Sequence, residues 1–254
     1  MNELLVGESK VERTKRKMYP EVVAGGFSRV DGTVHFYQRI NALVNRDSVV
    51  LDIGAGRGRT HVDDVNSYRA SLSNFRGKVA KVIGLDVDPV VLTNDSLDEA
   101  HVIVDGAFPL PDASADVAFS DYTFEHVADP AAFASEALRV VKPGGWLCAR
   151  TPNKYGYISV ASRLIPERFH QAVLKRAQPT RKSEDVFPTT YLLNTPSALK
   201  RHFDPRHWEH YVYTHDAEPA YFGSSLLLWK LANALSGVVP RQFGPTLMIF
   251  LRRK

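Results

Sequence analysis

The chain has 254 residues, 44% hydrophobic and 24% charged, a balance that excludes disorder, collagen-like repeats and a disulfide-knot scaffold as descriptions of the whole. Its single cysteine, Cys148, rules out an internal disulfide and suits a reducing compartment, so a cytoplasmic location is expected. The net charge of +4 permits an anionic partner without demanding one, and no apolar run approaches the roughly 20 residues that a transmembrane helix needs.

Residues 1–32 read as an N-terminal arm. Glu3 and the lack of an extended apolar core argue against a secretory signal. The run 10–17 (KVERTKRK) holds five basic residues and one acid, a solvated segment that meets phosphate or a membrane surface only by non-specific electrostatics. Next, residues 33–45 carry Val34, Phe36, Tyr37, Ile40, Leu43 and Val44 at helical spacing. The apolar stretch 48–53 predicts a strand running into a glycine loop. Residues 61–78, of mixed charge and rich in Asn, Ser and Asp, read as an inserted surface loop or irregular helix.

A second strand, 79–85, ends at Asp86, and Pro89 stands where a helix can begin. Strands are expected at 101–104 and 116–120. A helix at 130–140 is closed by Lys142-Pro143-Gly144-Gly145, after which strand resumes at 146–149. The stretch 155–190, with three prolines and mixed charge, reads as an insertion forming a lid or acceptor wall. Strands at 208–214 and 246–252 then flank a largely apolar helix at 217–236. Within it Leu226, Leu227, Leu228 and Trp229, continued by Leu231, Ala234 and Leu235 at helical spacing, predict core packing. Exposure of that face would instead suit a lipid-linked acceptor and peripheral membrane contact. The alternation predicts a single domain over 1–254, doubly wound α/β with a Rossmann-like sheet, mostly parallel with a terminal antiparallel strand.

Ligands of such sheets bind outside the carboxyl ends of the strands. The first strand closes on Asp52-Ile53-Gly54-Ala55-Gly56-Arg57-Gly58, where missing side chains let a ligand lie against backbone. Arg59 stands where the dinucleotide pattern needs its third glycine. Gly58 and Asp86 are 28 positions apart, against about 20 in the dinucleotide motif, so the spacing is wrong for pyrophosphate. Asp86, followed by Val87, can accept from two vicinal hydroxyls, as on a ribose. Asp105-Gly106-Ala107 offers an acceptor beside exposed backbone, suited to an adenine edge. The fourth strand closes on Ser120-Asp121-Tyr122 and leads to Glu125-His126.

The ordered series VVLDIGAGRG, GLDVDP, VDGAFPLPDASADVAFSDYTFEHVADP and ALRVVKPGGWL, about 100 of 254 residues, resembles the class I S-adenosylmethionine-dependent methyltransferases. The similarity is to the broad type 11 branch that includes quinone-biosynthesis enzymes. The resemblance implies S-adenosylmethionine as cofactor, with Asp52, Gly54, Ala55, Gly56 and Gly58 around its methionine part. It implies that Asp86 and Val87 meet the ribose, that Asp105, Gly106 and Ala107 face adenine, and that Asp121 and Tyr122 lie near the sulfonium and the acceptor. The segments RTPNKYGYISVASRLIPERFH and EDVFPTTYLLNTPSALKRHF look like those of bacterial methyltransferases of polysaccharide and glycolipid assembly. A small-molecule or glycan acceptor methylated at oxygen is therefore expected.

A hydroxyl acceptor must lose a proton, and His126 is the candidate base, against a plain packing or turn-capping role. Some relatives of that branch hold magnesium with an acid, a Glu and a His. Glu125 and His126 match, but Tyr122 stands where the first acid belongs and Asp121 is one residue early, so no metal is expected. His202, His207, His210 and His215 have mismatched strand parity for zinc. Tyr155, Tyr157, Phe169, Phe187 and Tyr191 could line an acceptor pocket or merely cover the sheet. Two rival readings stay open: an NAD-dependent oxidoreductase on a similar fold, and a non-catalytic cofactor-binding module. A nucleic-acid substrate has no dedicated binding module behind it, and the sequence leaves the oligomeric state open.

Overall fold

The computed structural model describes residues 9–58, 67–157, 159–160, 188–219 and 222–254. Its strands are β1 (Val49–Ile53), β2 (Lys81–Asp86), β3 (Glu99–Val102), β4 (Ala115–Asp121), β5 (Val141–Pro152), β6 (Trp208–His215) and β7 (Thr246–Arg253). They form one sheet in the order β3-β2-β1-β4-β5-β7-β6. Strands β1 to β5 are parallel, whereas β7 runs antiparallel to both neighbours. The expected antiparallel strand is the last in sequence but lies inside the sheet, with β6 outside it.

The inner parallel strands β1, β2 and β4 are largely apolar on both sides, because helices cover both faces, whereas the edge strand β3 carries Glu99 and His101. The two-residue period of a strand deals its side chains alternately to two cores. Leu51, Ile83, Ala118, Leu147 and Leu247 pack with Ala134 and Ala137 of α4 (Pro130–Val140) and Leu199 of α5 (Pro196–His202). Val50, Val82, Phe119, Cys148 and Met248 pack with Phe36, Tyr37 and Ile40 of α2 (Gly32–Asn41). Burial pushes the Cys148 thiol up, as befits a packing residue. The Lys142–Gly145 stop signal proves to be a bulge within β5: Ala115 pairs with Val141, but Val117 pairs with Trp146. Asp116 anchors this irregularity, accepting from Val49 N at 2.7 Å and from Lys142 Nζ at 2.8 Å.

The basic run is a docked helix, α1 (Lys10–Met18), rather than a solvated arm. Ser9 Oγ accepts from Glu12 N at 3.1 Å and Glu12 accepts from Ser9 N at 2.8 Å, a reciprocal cap. Thr14 Oγ1 donates to the Ser224 carbonyl at 2.9 Å, and the Tyr19 hydroxyl is bonded to Asn233. These bonds seat α1 against α6 (Leu226–Val238).

Core packing of the Leu226 region is overturned. In α6 only Trp229 and Ala232 are buried, while Leu227, Leu228, Leu231, Leu235 and Val238 are exposed. Apolar residues occupy most of the circumference of this helix, and Trp229 takes the single face that the body of the protein can cover. A further α-helix, α3 (Ser67–Ser73), lies within the predicted insertion at 61–78. Most of the predicted wall, at 161–187 and including Phe169 and Phe187, lies outside the described residues, as does Arg59.

Candidate active site

Strand order reverses between β1 and β4, which opens a crevice at their carboxyl ends. The glycine loop after β1 is hung on β2. Gly54 and Ala55 donate to the Leu85 carbonyl at 2.7 and 3.1 Å, and Gly56 N donates to Asp86 Oδ2 at 2.8 Å. The other oxygen of Asp86 accepts from Asp88 N at 2.9 Å. Gly54 has φ +85° and a Cβ there would collide with Thr123; Gly58 has φ +75° and a Cβ would lie 2.6 Å from Asn94 Oδ1. Asn94 Nδ2 in turn donates to the carbonyls of Ala55 and Gly56 at 3.2 Å each. Sequence reasoning missed this buried asparagine, which carries no motif and meets the loop only through the fold.

At the third strand end Asp105 (φ +53°) and Gly106 (φ +76°) make a tight exposed turn closed by Ala107 N on the Val104 carbonyl at 3.0 Å. Val87 is also exposed. The four predicted strand ends therefore lie along one edge of the sheet.

Asp121 is not free. Arg150, at the end of β5, grips it through Nε to Oδ1 and Nη2 to Oδ2, the latter at 2.8 Å, while the Tyr37 hydroxyl donates to Oδ2 at 3.1 Å. Arg150 Nη1 also donates to Thr33 Oγ1 at 3.1 Å, and its guanidinium lies 4.9 Å from the centre of the Tyr122 ring. Burial works against the charge on Arg150, but Asp121 outweighs it and holds the guanidinium above its usual range. Tyr122 has φ +56°, a left-handed conformation that costs a non-glycine residue about 1–3 kcal/mol and clusters at functional sites. Its N–H donates to the Arg150 carbonyl at 2.9 Å. Arg150 was not singled out from the sequence; its one local sign is a cation closing an apolar strand.

Burial, and then the carboxylates of Asp121 and Asp86, hold Asp52 well above the usual range. Asp52 therefore favours its neutral form, and with Asp121 neutralised by Arg150 the crevice keeps the negative charge of Asp86. That field favours a cationic ligand over a pyrophosphate. A tight glycine loop, a carboxylate beside it and negative potential together fit the methionine and ribose parts of S-adenosylmethionine.

Glu125 is buried, accepts from Thr151 Oγ1 at 2.7 Å, and is raised chiefly by burial. His126 Nδ1 meets the Pro188 carbonyl at 2.9 Å. A carbonyl only accepts, so Nδ1 is the donor in this bond. Asp121 and Glu125 are thus both engaged by protein groups. Among the described residues no group of three His, Cys, Asp or Glu is arranged to hold a metal ion. The C-terminal histidines do not converge: His210 Nε2 bonds the Phe203 carbonyl at 2.7 Å and His215 Nε2 the Val30 carbonyl at 3.1 Å.

Beside Tyr122 a cavity of about 140 Å³ is lined by Asp31, Thr33, Arg69, Arg150 and Glu218 among others. A smaller one of about 60 Å³ shares Tyr122 and Glu218. The walls are thus more polar than the aromatic pocket the sequence suggested, and Tyr155, Tyr157 and Tyr191 line neither. Asp31 accepts from Thr33 N and from Arg69 Nη1 at 3.0 and 3.1 Å; Glu218 accepts from Ser28 Oγ at 2.6 Å and pairs with Lys15 at 2.7 Å.

Residues 51–149 match the family model described as a methyltransferase domain. A protein of Mycolicibacterium smegmatis described as a probable S-adenosylmethionine-dependent methyltransferase is 36% identical over 124 residues, 46% of this chain and 43% of that one. The chain spans less than half the length of the curated relatives it matches. Among solved structures, a SAM-dependent methyltransferase from Archaeoglobus fulgidus superposes with a TM-score of 0.53 at 17% identity, covering 87% of this chain and 92% of that one. Another, from Thermotoga maritima, gives 0.52 at 15% identity over 96% and 99% of the two chains. At such identities these two speak for the fold alone. Motifs, strand order and family model agree in marking residues 51–149 as a methyltransferase domain.

Proposed function

We propose that this chain transfers a methyl group from S-adenosylmethionine to an oxygen of a small-molecule or glycan acceptor. The observation that carries the reading is the bond from Gly56 N to Asp86, which couples the glycine loop to the acid of the second strand. In this reading Asp52, Gly54, Ala55, Gly56 and Gly58 surround the methionine part, Asp86 and Val87 hold the ribose, and Asp105, Gly106 and Ala107 border adenine. Asp121 and Tyr122, fixed by Arg150, stand between donor and acceptor. The polar lining of the 140 Å³ cavity supports a hydroxylated acceptor over a flat apolar one.

The cofactor supplies a methyl group on a positively charged sulfur that leaves as a neutral thioether. The chain's task is chiefly alignment, because positioning two reactants in line can supply most of the rate. Tyr122, held in its left-handed conformation, forms the wall against which the acceptor oxygen is oriented. His126 would take up the proton that an acceptor hydroxyl loses.

The test is calorimetric. Asp86→Ala should weaken S-adenosylmethionine binding by about 1.5–3 kcal/mol, the worth of a hydrogen bond to a charged group; undiminished affinity would overturn the cofactor assignment. His126→Gln should lower turnover while leaving cofactor affinity intact. Unchanged turnover would withdraw the base and leave the cofactor site standing.

A further inference from the structure

Helix α6 turns an apolar side to the surface. Leu227, Leu231, Leu235 and Val238 follow at i, i+4, i+8 and i+11 with Leu228 beside them, opposite the buried Trp229 and Ala232. Leu227 is 68% exposed, Leu231 56% and Val238 83%. Five large aliphatic side chains in one exposed stripe mark a contact surface rather than scattered surface apolarity.

The surrounding charge says what kind of surface it meets. Residues 222–243 hold two cations, Lys230 and Arg241, and no acid. The helix packed against α6 is α1, joined to it through Tyr19 and Asn233 and through Thr14 and Ser224. It exposes Lys10, Arg13 and Lys17, and its one acid, Glu12, is engaged in the cap with Ser9. An apolar stripe bordered by exposed cations is the composition of a helix lying in the plane of an anionic membrane interface. Apposing a second copy of the same surface would bring these cations together.

We propose that α6, with the basic side of α1, is a docking surface for an anionic lipid bilayer. The apolar stripe enters the headgroup boundary and the cations meet lipid phosphates. No helix among the described residues is long and apolar enough to cross a membrane, so the contact is peripheral. Lys15 of α1 pairs with Glu218, which lines the cavity beside Tyr122. Docking would therefore bring that cavity close to the bilayer, where an acceptor carried on a lipid anchor could reach it. This last step rests on the methyl-transfer reading, whereas the docking itself does not.

The experiment is co-sedimentation of the full chain with vesicles of phosphatidylcholine alone, or with about one-third phosphatidylglycerol, at low and high salt. The wild type should bind the anionic vesicles, less at high salt. Leu231→Glu/Leu235→Glu should weaken that binding by about tenfold or more. Lys10→Glu/Arg13→Glu/Lys17→Glu should lose the preference for anionic vesicles. All five positions are exposed, and circular dichroism checks that the variants fold. Failure of the wild type to bind anionic vesicles at low salt, or equal binding by the double glutamate variant, overturns the proposal. So does a dimer, seen by light scattering without vesicle binding, that dissociates in that variant, because the stripe then belongs to a second copy. Cofactor calorimetry is unaffected by any of these outcomes and tests the methyl-transfer reading separately.

Discussion

Replacing Arg150 by methionine probes the junction on which the candidate site turns. The side chain is 6% exposed and makes two bonds to Asp121 and one to Thr33, with its guanidinium between the rings of Tyr122 and Phe36 at 4.9 and 5.4 Å. Methionine keeps much of the volume and the ring contacts but strands the mostly buried Asp121 carboxylate near Asp52. Breaking one side of a buried pair costs about 3–5 kcal/mol. For a domain of this size each kcal/mol moves the melting temperature by about 2–4 °C, so Tm should fall by about 6–20 °C. Asp121→Asn/Arg150→Met removes the stranded charge yet leaves an amide oxygen for the Tyr37 hydroxyl, and should recover most of the loss. Urea and thermal unfolding without cofactor measure both variants. A single variant within about 1 kcal/mol of wild type, or a double variant no more stable than the single, would refute the claim that Arg150 neutralises Asp121.

Gly58→Ala combines φ +75° with a Cβ only 2.6 Å from Asn94 Oδ1. It should cost about 1–3 kcal/mol in unfolding and weaken S-adenosylmethionine binding; unaltered melting and affinity would count against the loop's tight seat. The pH dependence of stability carries a definite sign. Asp52 is held above the usual range by burial and by Asp121 and Asp86. From the ordinary aspartate value near 4 up to the raised one, the native state keeps a proton that the unfolded chain has lost. The stability this confers is full below the unfolded value and fades as pH rises through the folded one. Asp52→Asn cannot ionise, so its Tm advantage over wild type should grow from acid to neutral pH, and a pH-independent difference would contradict this.

The ends of β1, β2 and β4 were legible because a parallel strand buried on both faces is a short apolar run, and where such runs stop near Asp52, Asp86 and Asp121 the chain turns at the carboxyl edge of the sheet; β3, a polar edge strand, lies at Glu99–Val102 rather than at the expected 101–104. Antiparallel character at the C-terminus was legible too, but the place of β7 inside the sheet was not, since strand order is decided by packing at a distance. Arg150 and Asn94 escaped for the same reason. One reaches Asp121 from its register partner position on the neighbouring strand, the other reaches the glycine loop from the turn after β2, and neither leaves a local pattern. Helix α6 misled because it is apolar almost all round, so periodicity could not say which side would be covered. The spacing of Ser9 and Glu12 was a readable cap, hidden behind the charge of the run that follows it.

The central claim is that the crevice at the carboxyl ends of β1 and β4 holds S-adenosylmethionine, and titration calorimetry on the whole chain tests it most directly. S-adenosylmethionine, S-adenosylhomocysteine and NAD would be titrated under one set of conditions. Saturable binding of both sulfur compounds and none of NAD is the predicted result; binding of NAD in their place, or of none of the three, would contradict it.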